Sequence, residues 1–366
     1  MSLVRALVGA VVLLLVAAVV ALADVRAPGP STAAEPGPLG TDLAALAPPD
    51  LTTTTSSTTT TTTTALPTTT TTAPPPPPTT RSAPVAAAAA PARLQPPAVP
   101  TSLEPYRGLG TWVDVYDWTN SYTGGKPAVG PADVDRMADL GVQTLYLQAS
   151  KWDSPTDVTD GDLLVPILER AEQRGIRLVV WYLPTLTDPA RDLQRLVAIA
   201  ALPHVDGVAV DIESREVADV AERNRRLVQL SAALRQALPG RTIGAIVLPP
   251  VVLEVVNPSY WPGFPYQQLA PHYDVWLTMG YWTNRKADSG YRDAYRYTRE
   301  NVDRLRANLN AVVPVHPIGG LGAGTSAADV EAYRRAAVDT GSLGGSLYDW
   351  RTTRGEAWPG MQGFRA

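Results

Sequence analysis

The segment DGVAVDIE, residues 206–213, is a short apolar run that ends on two carboxylates. Side chains alternate between the two faces of an extended strand, so residues 209, 211 and 213 point to the same side. Asp211 and Glu213 therefore leave the strand together, and because neighbouring anions disfavour each other, one of them can keep a proton near neutral pH. The segment predicts a strand that delivers a paired acid. The alternative is a helix-capping Asp beside a Glu that pairs with Arg215.

Short β-branched or aromatic runs alternate with longer runs of helical apolar spacing on both sides of this segment. The predicted strands are 111–116, 142–148, 176–183, 207–213, 242–248, 274–279, 312–317 and 344–348. The predicted helices are 131–140, 162–174, 189–201, 217–238, 292–308 and 327–340, with a short one near 266–270. Eight such units in about 260 residues indicate an α/β protein of the (β/α)8 TIM-barrel class. An open doubly wound sheet is less favoured, because no glycine-rich turn follows the first strand.

The chain before the barrel has a different composition, since its first aromatic residue is Tyr106. An apolar run from Ala6 to Ala23 predicts that residues 1–23 are a signal peptide or an uncleaved N-terminal membrane anchor. Residues 24–104 are rich in Thr, Pro and Ala, which predicts a disordered, extended linker. The folded domain is then 105–366. We expect an extracellular or cell-envelope location, membrane contact through the N-terminal segment, and a monomer.

Several classes of function are disfavoured by composition. The chain has no cysteine, which excludes disulfides, thiolate metal sites and a Cys nucleophile. Its three histidines, His204, His272 and His316, lie far apart in sequence, and a histidine metal cluster is not expected. The net charge is -4 without a basic block, which argues against nucleic-acid binding. We expect neither a metal nor an organic cofactor.

Aromatic residues and carboxylates accumulate at the C-terminal ends of the predicted strands, where barrel enzymes place their sites. Aromatic rings stack on sugar faces, while carboxyl groups act on the glycosidic oxygen. The candidate substrate-binding residues are Trp118, Trp152, Trp181, Trp282, Trp350, Asp117 and Asp349, with Trp112 as a further candidate. For any single ring, ordinary packing is the alternative. The run 319–324, GGLGAG, is predicted as a loop, and His316 as either a sugar ligand or a hydrogen-bonded barrel histidine.

The segment 206–213 resembles the DGxDxDxE signature of family 18 glycoside hydrolases, the chitinases and endo-N-acetylglucosaminidases. Asp206, Gly207, Asp211 and Glu213 match that signature, and Ala209 replaces the first inner acid. In that family the last Glu is the general acid, which implies this role for Glu213. The Asp before it orients the N-acetyl group of the substrate, whose oxygen is the nucleophile. The resemblance implies that role for Asp211.

Two further segments are similar to motifs of the same family. Residues 279–281, Met-Gly-Tyr, resemble its MxY motif, whose Tyr supports the acetamido group, which implies that role for Tyr281. Trp350 resembles the Trp that forms the floor of the sugar subsite. The chain departs from the family at 179–183, which lacks the SxGG motif, and at Trp282, where an Asp usually follows MxY. The chain therefore looks like a distant relative of the family and not like one of its core members.

A glycosidase that uses two separate carboxylates needs a second acid across the barrel mouth. The candidates for it are Asp117, Asp153 and Asp349. Substrate-assisted catalysis needs only Asp211 and Glu213, and we therefore expect an exported glycosidase-like barrel that cleaves a glycan containing N-acetylhexosamine, of the chitin or peptidoglycan type. Two alternatives remain: a catalytically silent glycan-binding barrel of the cell envelope, and a barrel glycosidase for a different sugar that uses a second Asp.

Overall fold

The computed structural model of the protein describes residues 102–365. The predicted signal peptide or anchor at 1–23 lies outside the described residues, as does the predicted linker 24–104 except for its last three residues. Within residues 102–365, every helix is too short or too polar to span a bilayer.

Eight parallel strands form one sheet in the order β6-β5-β4-β3-β2-β1-β8-β7. They are β1 Gly108–Val113, β2 Thr144–Gln148, β3 Arg177–Tyr182, β4 Gly207–Ile212, β5 Thr242–Val247, β6 Val275–Thr278, β7 Ile318–Leu321 and β8 Gly344–Tyr348. Two isolated parallel bridges, from Trp276 to Val315 and from Met279 to Ile318, join the two edges of the sheet. The sheet is therefore a nearly closed barrel, and the predicted (β/α)8 fold is confirmed.

Helices lie between the strands and at the end of the described chain. They are α1 Val115–Trp118, α2 Asn120–Thr123, α3 Pro131–Asp139, α4 Gly161–Gln173, α5 Pro189–Ala200, α6 Val220–Ala237, α7 Tyr266–Leu269, α8 Ala294–Leu309, α9 Ala327–Asp339 and α10 Trp358–Met361. Polar caps define where several of them begin. The Asp188 side chain accepts from the Arg191 amide ahead of α5, and Ser326 and Asp329 form a reciprocal capping box at α9. Gly141 and Gly175 turn the chain back toward β2 and β3 with φ of 85° and 67°.

The inside of the barrel is filled by aromatic rings close to its N-terminal end. The Tyr106 hydroxyl donates to the Val208 carbonyl at 2.7 Å, and Tyr146 stacks on Trp112 with ring centroids 4.3 Å apart. These rings need space that only glycine leaves. A Cβ at Gly207 would come within 3.0 Å of the Tyr106 ring. Because these rings fill the N-terminal end of the interior, the barrel is open at its C-terminal end.

The seventh strand lies later than predicted, which corrects the strand prediction at 312–317. Val312 is 89% exposed, and within the predicted segment only Val315 makes a bridge to β6. Pro314 and Pro317 have no amide hydrogen to donate to a neighbouring strand, so the regular ladder begins only after Pro317. The predicted glycine-rich loop is therefore partly β7, followed by a 3-10 turn at Gly322–Gly324.

Candidate active site

A cleft with an empty volume of about 510 Å³ opens at the C-terminal ends of the strands. Much of this volume is open to solvent, and the enclosed cavity is about 50 Å³. Every strand except β2 supplies its lining, from within the strand or directly after it: Trp112, Trp181, Leu183, Asp211, Glu213, Ile246, Met279, Tyr281, Ile318 and Tyr348. The wall is thus mainly apolar and aromatic, with two carboxyl groups and two phenols on it.

Both predicted acids lie on this cleft. Asp211 is the next-to-last residue of β4 and is 7% exposed. Glu213 directly follows the strand and is half-buried. Burial raises the pKa of Asp211 well above its usual value, and the negative charge of Glu213 adds to the effect. The Oδ1 atom of Asp211 has no hydrogen-bond partner among residues 102–365. Asp211 is therefore a buried carboxyl group on the cleft lining, with one oxygen that accepts no hydrogen bond from the described residues.

The other half of the 206–213 segment stabilises the barrel instead. Asp206 Oδ2 accepts a 2.8 Å hydrogen bond from the Leu178 amide, and its own amide donates to the Leu178 carbonyl at 2.9 Å. Gly207 lies against the Tyr106 ring, as described above. This half of the segment sets the register of β3 and β4, and of residues 206–213 only Asp211 and Glu213 line the cleft.

Tyr281 reaches the same cleft from the segment after β6. Its position depends on Gly280, whose amide donates to the Ile318 carbonyl at 2.7 Å, and a Cβ at residue 280 would overlap that carbonyl. Burial raises the pKa of Tyr281 well above its usual value, and the charges of Glu213 and Asp211 are the next causes. The structure thus brings Tyr281 into the electrostatic field of the acid pair.

Two tryptophans form part of the cleft wall. Trp112 and Trp181 meet edge to face, with ring centroids 5.9 Å apart. The Trp181 indole Nε1 is buried and has no hydrogen-bond partner within the described chain. Trp181 lies on β3, the strand that lacks the family's SxGG motif.

At the end of β8, Tyr348 lies in the cleft wall and Trp350 does not. The Trp350 indole donates to Asp133 Oδ1 at 3.0 Å, and its ring packs on Trp358. The assignment of Trp350 as a subsite floor by resemblance is therefore corrected. Tyr348 was not among the candidate site residues predicted from the sequence, although strand alternation from the inward-facing Ser346 would have identified it.

The other candidate tryptophans lie away from the cleft. Trp118 is 0% exposed and donates to the Gln148 carbonyl at 3.1 Å, and Trp282 is 0% exposed and packs against Tyr333. Neither presents a face on which a sugar could stack. Trp152 is 43% exposed on the loop after β2. Arg195 positions that loop through the carbonyl oxygens of Trp152, Ser154 and Thr156.

The candidate second acids lie outside the cleft lining. Asp117 and Asp349 cluster with Asp114, whose Oδ2 accepts a 2.8 Å hydrogen bond from the Tyr348 hydroxyl. Burial raises the pKa of Asp117 to about 7, and the charges of Asp114 and Asp349 contribute. Asp153 instead pairs with Lys151 at 2.6 Å.

His316 is a hydrogen-bonded barrel histidine. It is fully buried, its Nδ1 lies 2.9 Å from the Tyr106 carbonyl oxygen, and its Nε2 lies 3.1 Å from Ser346 Oγ. Because a carbonyl only accepts, Nδ1 carries the proton and Nε2 accepts from the serine. Burial lowers the pKa of His316 to about 4, so the ring is neutral. Of its two predicted roles, the structure supports the one in the core.

Comparisons with known proteins identify the fold. No family model matches the sequence, and no curated protein matches it either. Among solved structures, the chain is similar to a family GH18 chitinase from Cycas revoluta, with a TM-score of 0.52 and 11% identity over 70% of this chain and 98% of that one. It is also similar to the spore cortex-lytic enzyme SleL of Bacillus cereus, with a TM-score of 0.52 and 9% identity over 71% of this chain and 74% of that one.

The similarity extends to a different glycosidase. A β-galactosidase from Marinomonas ef1 matches with a TM-score of 0.53 and 10% identity, over 70% of this chain and 58% of that one. At such identities the comparisons establish the fold, and the chemistry has to be argued from the site itself. The protein is a (β/α)8 barrel that shares its fold with the family GH18 chitinase from Cycas revoluta.

Proposed function

We propose that this protein hydrolyses a glycan containing N-acetylhexosamine, of the chitin or peptidoglycan type, by substrate-assisted catalysis. The observation that carries the proposal is the meeting of Asp211, Glu213 and Tyr281 in one aromatic cleft. Two polar atoms of that cleft, Asp211 Oδ1 and Trp181 Nε1, lack partners within the described chain. An acetamido group offers one N–H and one carbonyl oxygen, which match an unpaired acceptor and an unpaired donor.

The roles follow from where each group lies. The acid pair shares one proton, and Glu213, at the more exposed position, delivers it to the glycosidic oxygen as the bond to the anomeric carbon breaks. Asp211 accepts the acetamido N–H and so turns the carbonyl oxygen of that group toward the anomeric carbon, where it forms a cyclic oxazolinium ion. Glu213 then removes a proton from a water that opens this ring and restores the acetamide. Trp181 and Tyr281 are placed to bind the acetamido group.

The geometry favours this mechanism over one with a second carboxylate. Asp117 and Asp349 cluster with Asp114 and are not among the residues that line the cleft. A nucleophilic or basic carboxylate must reach the anomeric carbon or its attacking water. The extracellular or cell-envelope location, the membrane contact and the monomeric state remain predictions from the sequence.

The test uses the full-length chain with N-acetylated chitooligosaccharides, their deacetylated counterparts and peptidoglycan, with products identified by mass spectrometry. Wild type should cleave an acetylated glycan, and Glu213→Gln should lose about 10²-fold or more in rate, because the proton donor is gone. Glu216→Gln is the matched control, since Glu216 is exposed and lies three residues after Glu213. It should retain the wild-type rate.

Three results would contradict the proposal. Equal cleavage of deacetylated substrates would point to a mechanism with a second carboxylate. Binding without products, unchanged in Glu213→Gln, would establish a silent glycan-binding barrel. Neither binding nor products on any of these glycans would remove the substrate class.

A further inference from the structure

Three buried carboxyl groups meet beside the cleft, at the junction of the first and last strands. Asp114 follows β1, Asp117 lies in α1 and Asp349 follows β8. Each offers a carboxylate oxygen within 4.8 Å of those of the other two, and each is buried. They come from opposite ends of the domain sequence and meet because β1 pairs with β8. Asp114, Asp117 and Asp349 together form the acid trio.

Protein donors occupy only part of the acid trio. Asp114 accepts from the Tyr116 amide and the Tyr348 hydroxyl, and Asp349 Oδ1 accepts from the Thr352 amide at 2.8 Å. Asp117 Oδ1 accepts from Arg351 at 3.1 Å. Asp117 is only 5% exposed, and its Oδ2 has no hydrogen-bond partner among residues 102–365. A buried carboxylate oxygen without a donor is costly, and a bound cation would offset that cost.

The charges show what kind of ligand it is. Three ionised carboxylates bring three negative charges, and Arg351 offsets one of them through its contact with Asp117. Two negative charges are left in a buried site, and one divalent cation neutralises them.

We infer that Asp114, Asp117 and Asp349 bind a divalent cation, with Ca²⁺ as the best match. Ca²⁺ takes oxygen ligands at about 2.3–2.6 Å, so oxygens that share one ion lie no more than about 5 Å apart, and the acid trio meets that limit. Mg²⁺ is usually held by one or two carboxylates and keeps several waters, so three converging carboxylates favour Ca²⁺. The cation would tie β1 to β8 and, through Asp114, hold the Tyr348 hydroxyl at the cleft wall. This inference does not depend on the proposed function.

The test measures metal binding by the full-length chain and needs no activity. After EDTA treatment, Ca²⁺ alone is titrated at neutral pH by calorimetry, and thermal unfolding is followed at increasing Ca²⁺. We expect one ion per chain and a melting temperature that rises with Ca²⁺, because the ion binds the folded state. Asp117→Asn and Asp349→Asn should each lose the binding heat and the shift. Asp288→Asn, at an exposed position, should keep both.

The melting temperature without metal distinguishes a misfolded variant from one that has lost only metal binding. Asp117→Asn removes one of the repelling charges, so its metal-free melting temperature should equal or exceed that of wild type. Two results would overturn the inference: no heat and no shift for wild type with Ca²⁺, Mg²⁺ or Mn²⁺ up to roughly 10 mM, a limit beyond the weak extracellular Ca²⁺ sites, or binding that survives in both Asn variants. The first result would mean that the acid trio holds a proton instead.

Discussion

The indole N–H of Trp112 donates a 2.8 Å hydrogen bond to Ser346 Oγ, across the β1–β8 pair. The Ser346 hydroxyl donates to His316 Nε2, and His316 Nδ1 donates to the Tyr106 carbonyl. Trp112, a residue of the cleft wall, is thus linked to the Tyr106 backbone through Ser346 and His316, which do not line the cleft. The orientation of Trp112 therefore depends on the polar core of the barrel.

Replacing Ser346 should destabilise the fold through this chain. Ser346→Ala leaves the Trp112 N–H and His316 Nε2 without their buried partner, at a cost of about 1–3 kcal/mol for each unpaired group. Urea unfolding at pH 7 measures the loss, with Ser259→Ala at an exposed position as control. A loss below about 0.5 kcal/mol, the range of ordinary surface changes, would show that the chain does not hold Trp112.

His316 should make the fold sensitive to acid. Its pKa is lowered to about 4 by burial, whereas it is about 6.5 in an unfolded chain. The unfolded state therefore gains a proton first, and stability is lost as pH falls from about 6.5 to about 4, by at most about 3 kcal/mol. Urea unfolding at pH 7 and pH 4.5 should show His316→Gln closer to wild type at the lower pH. A gap that does not change with pH would contradict a buried, neutral histidine.

The buried Asp211 carboxyl group should lower the free energy of unfolding at neutral pH. Its pKa is raised by burial, so its favourable contribution is present below about pH 3.8 and is lost as pH rises through its folded-state pKa. Asp211→Asn should be more stable than wild type at pH 7, with the gap closing toward pH 4, and should lose glycan turnover. Asp288→Asn should show no such gap in urea unfolding. An Asn variant less stable at pH 7 would contradict the cost of burial.

Gly280 should tolerate no side chain. A Cβ there overlaps the Ile318 carbonyl, which is backbone and cannot rotate away. Gly280→Ala should cost about 1–3 kcal/mol as an overpacked site and displace Tyr281 from the cleft. Thermal unfolding and turnover measure the two effects. Gly240→Ala, at a position with open space, should leave both unchanged. A Gly280→Ala protein with wild-type stability would mean that the β6–β7 contact is loose.

The local pattern of the chain was sufficient for part of the site. Period-two alternation in 206–213 placed Asp211 and Glu213 on one face, and the structure puts both on the cleft. The same alternation applied to β8 would have selected Tyr348. Trp350 was chosen instead for its similarity to a family motif, but it lies past the strand end, where alternation no longer holds. Strand seven was placed too early because the apolar residues outweighed two prolines.

The sequence by itself determined the eight-unit barrel and the strand that carries the paired acids, because strand and helix periods and strand alternation are local properties. Only the tertiary structure decided which tryptophans face the cleft, that His316 belongs to the core, and that Asp114, Asp117 and Asp349 meet. These outcomes depend on which strands become neighbours when the barrel closes. Barrel closure brings β1 beside β8 across more than two hundred residues, and no local pattern encodes that contact.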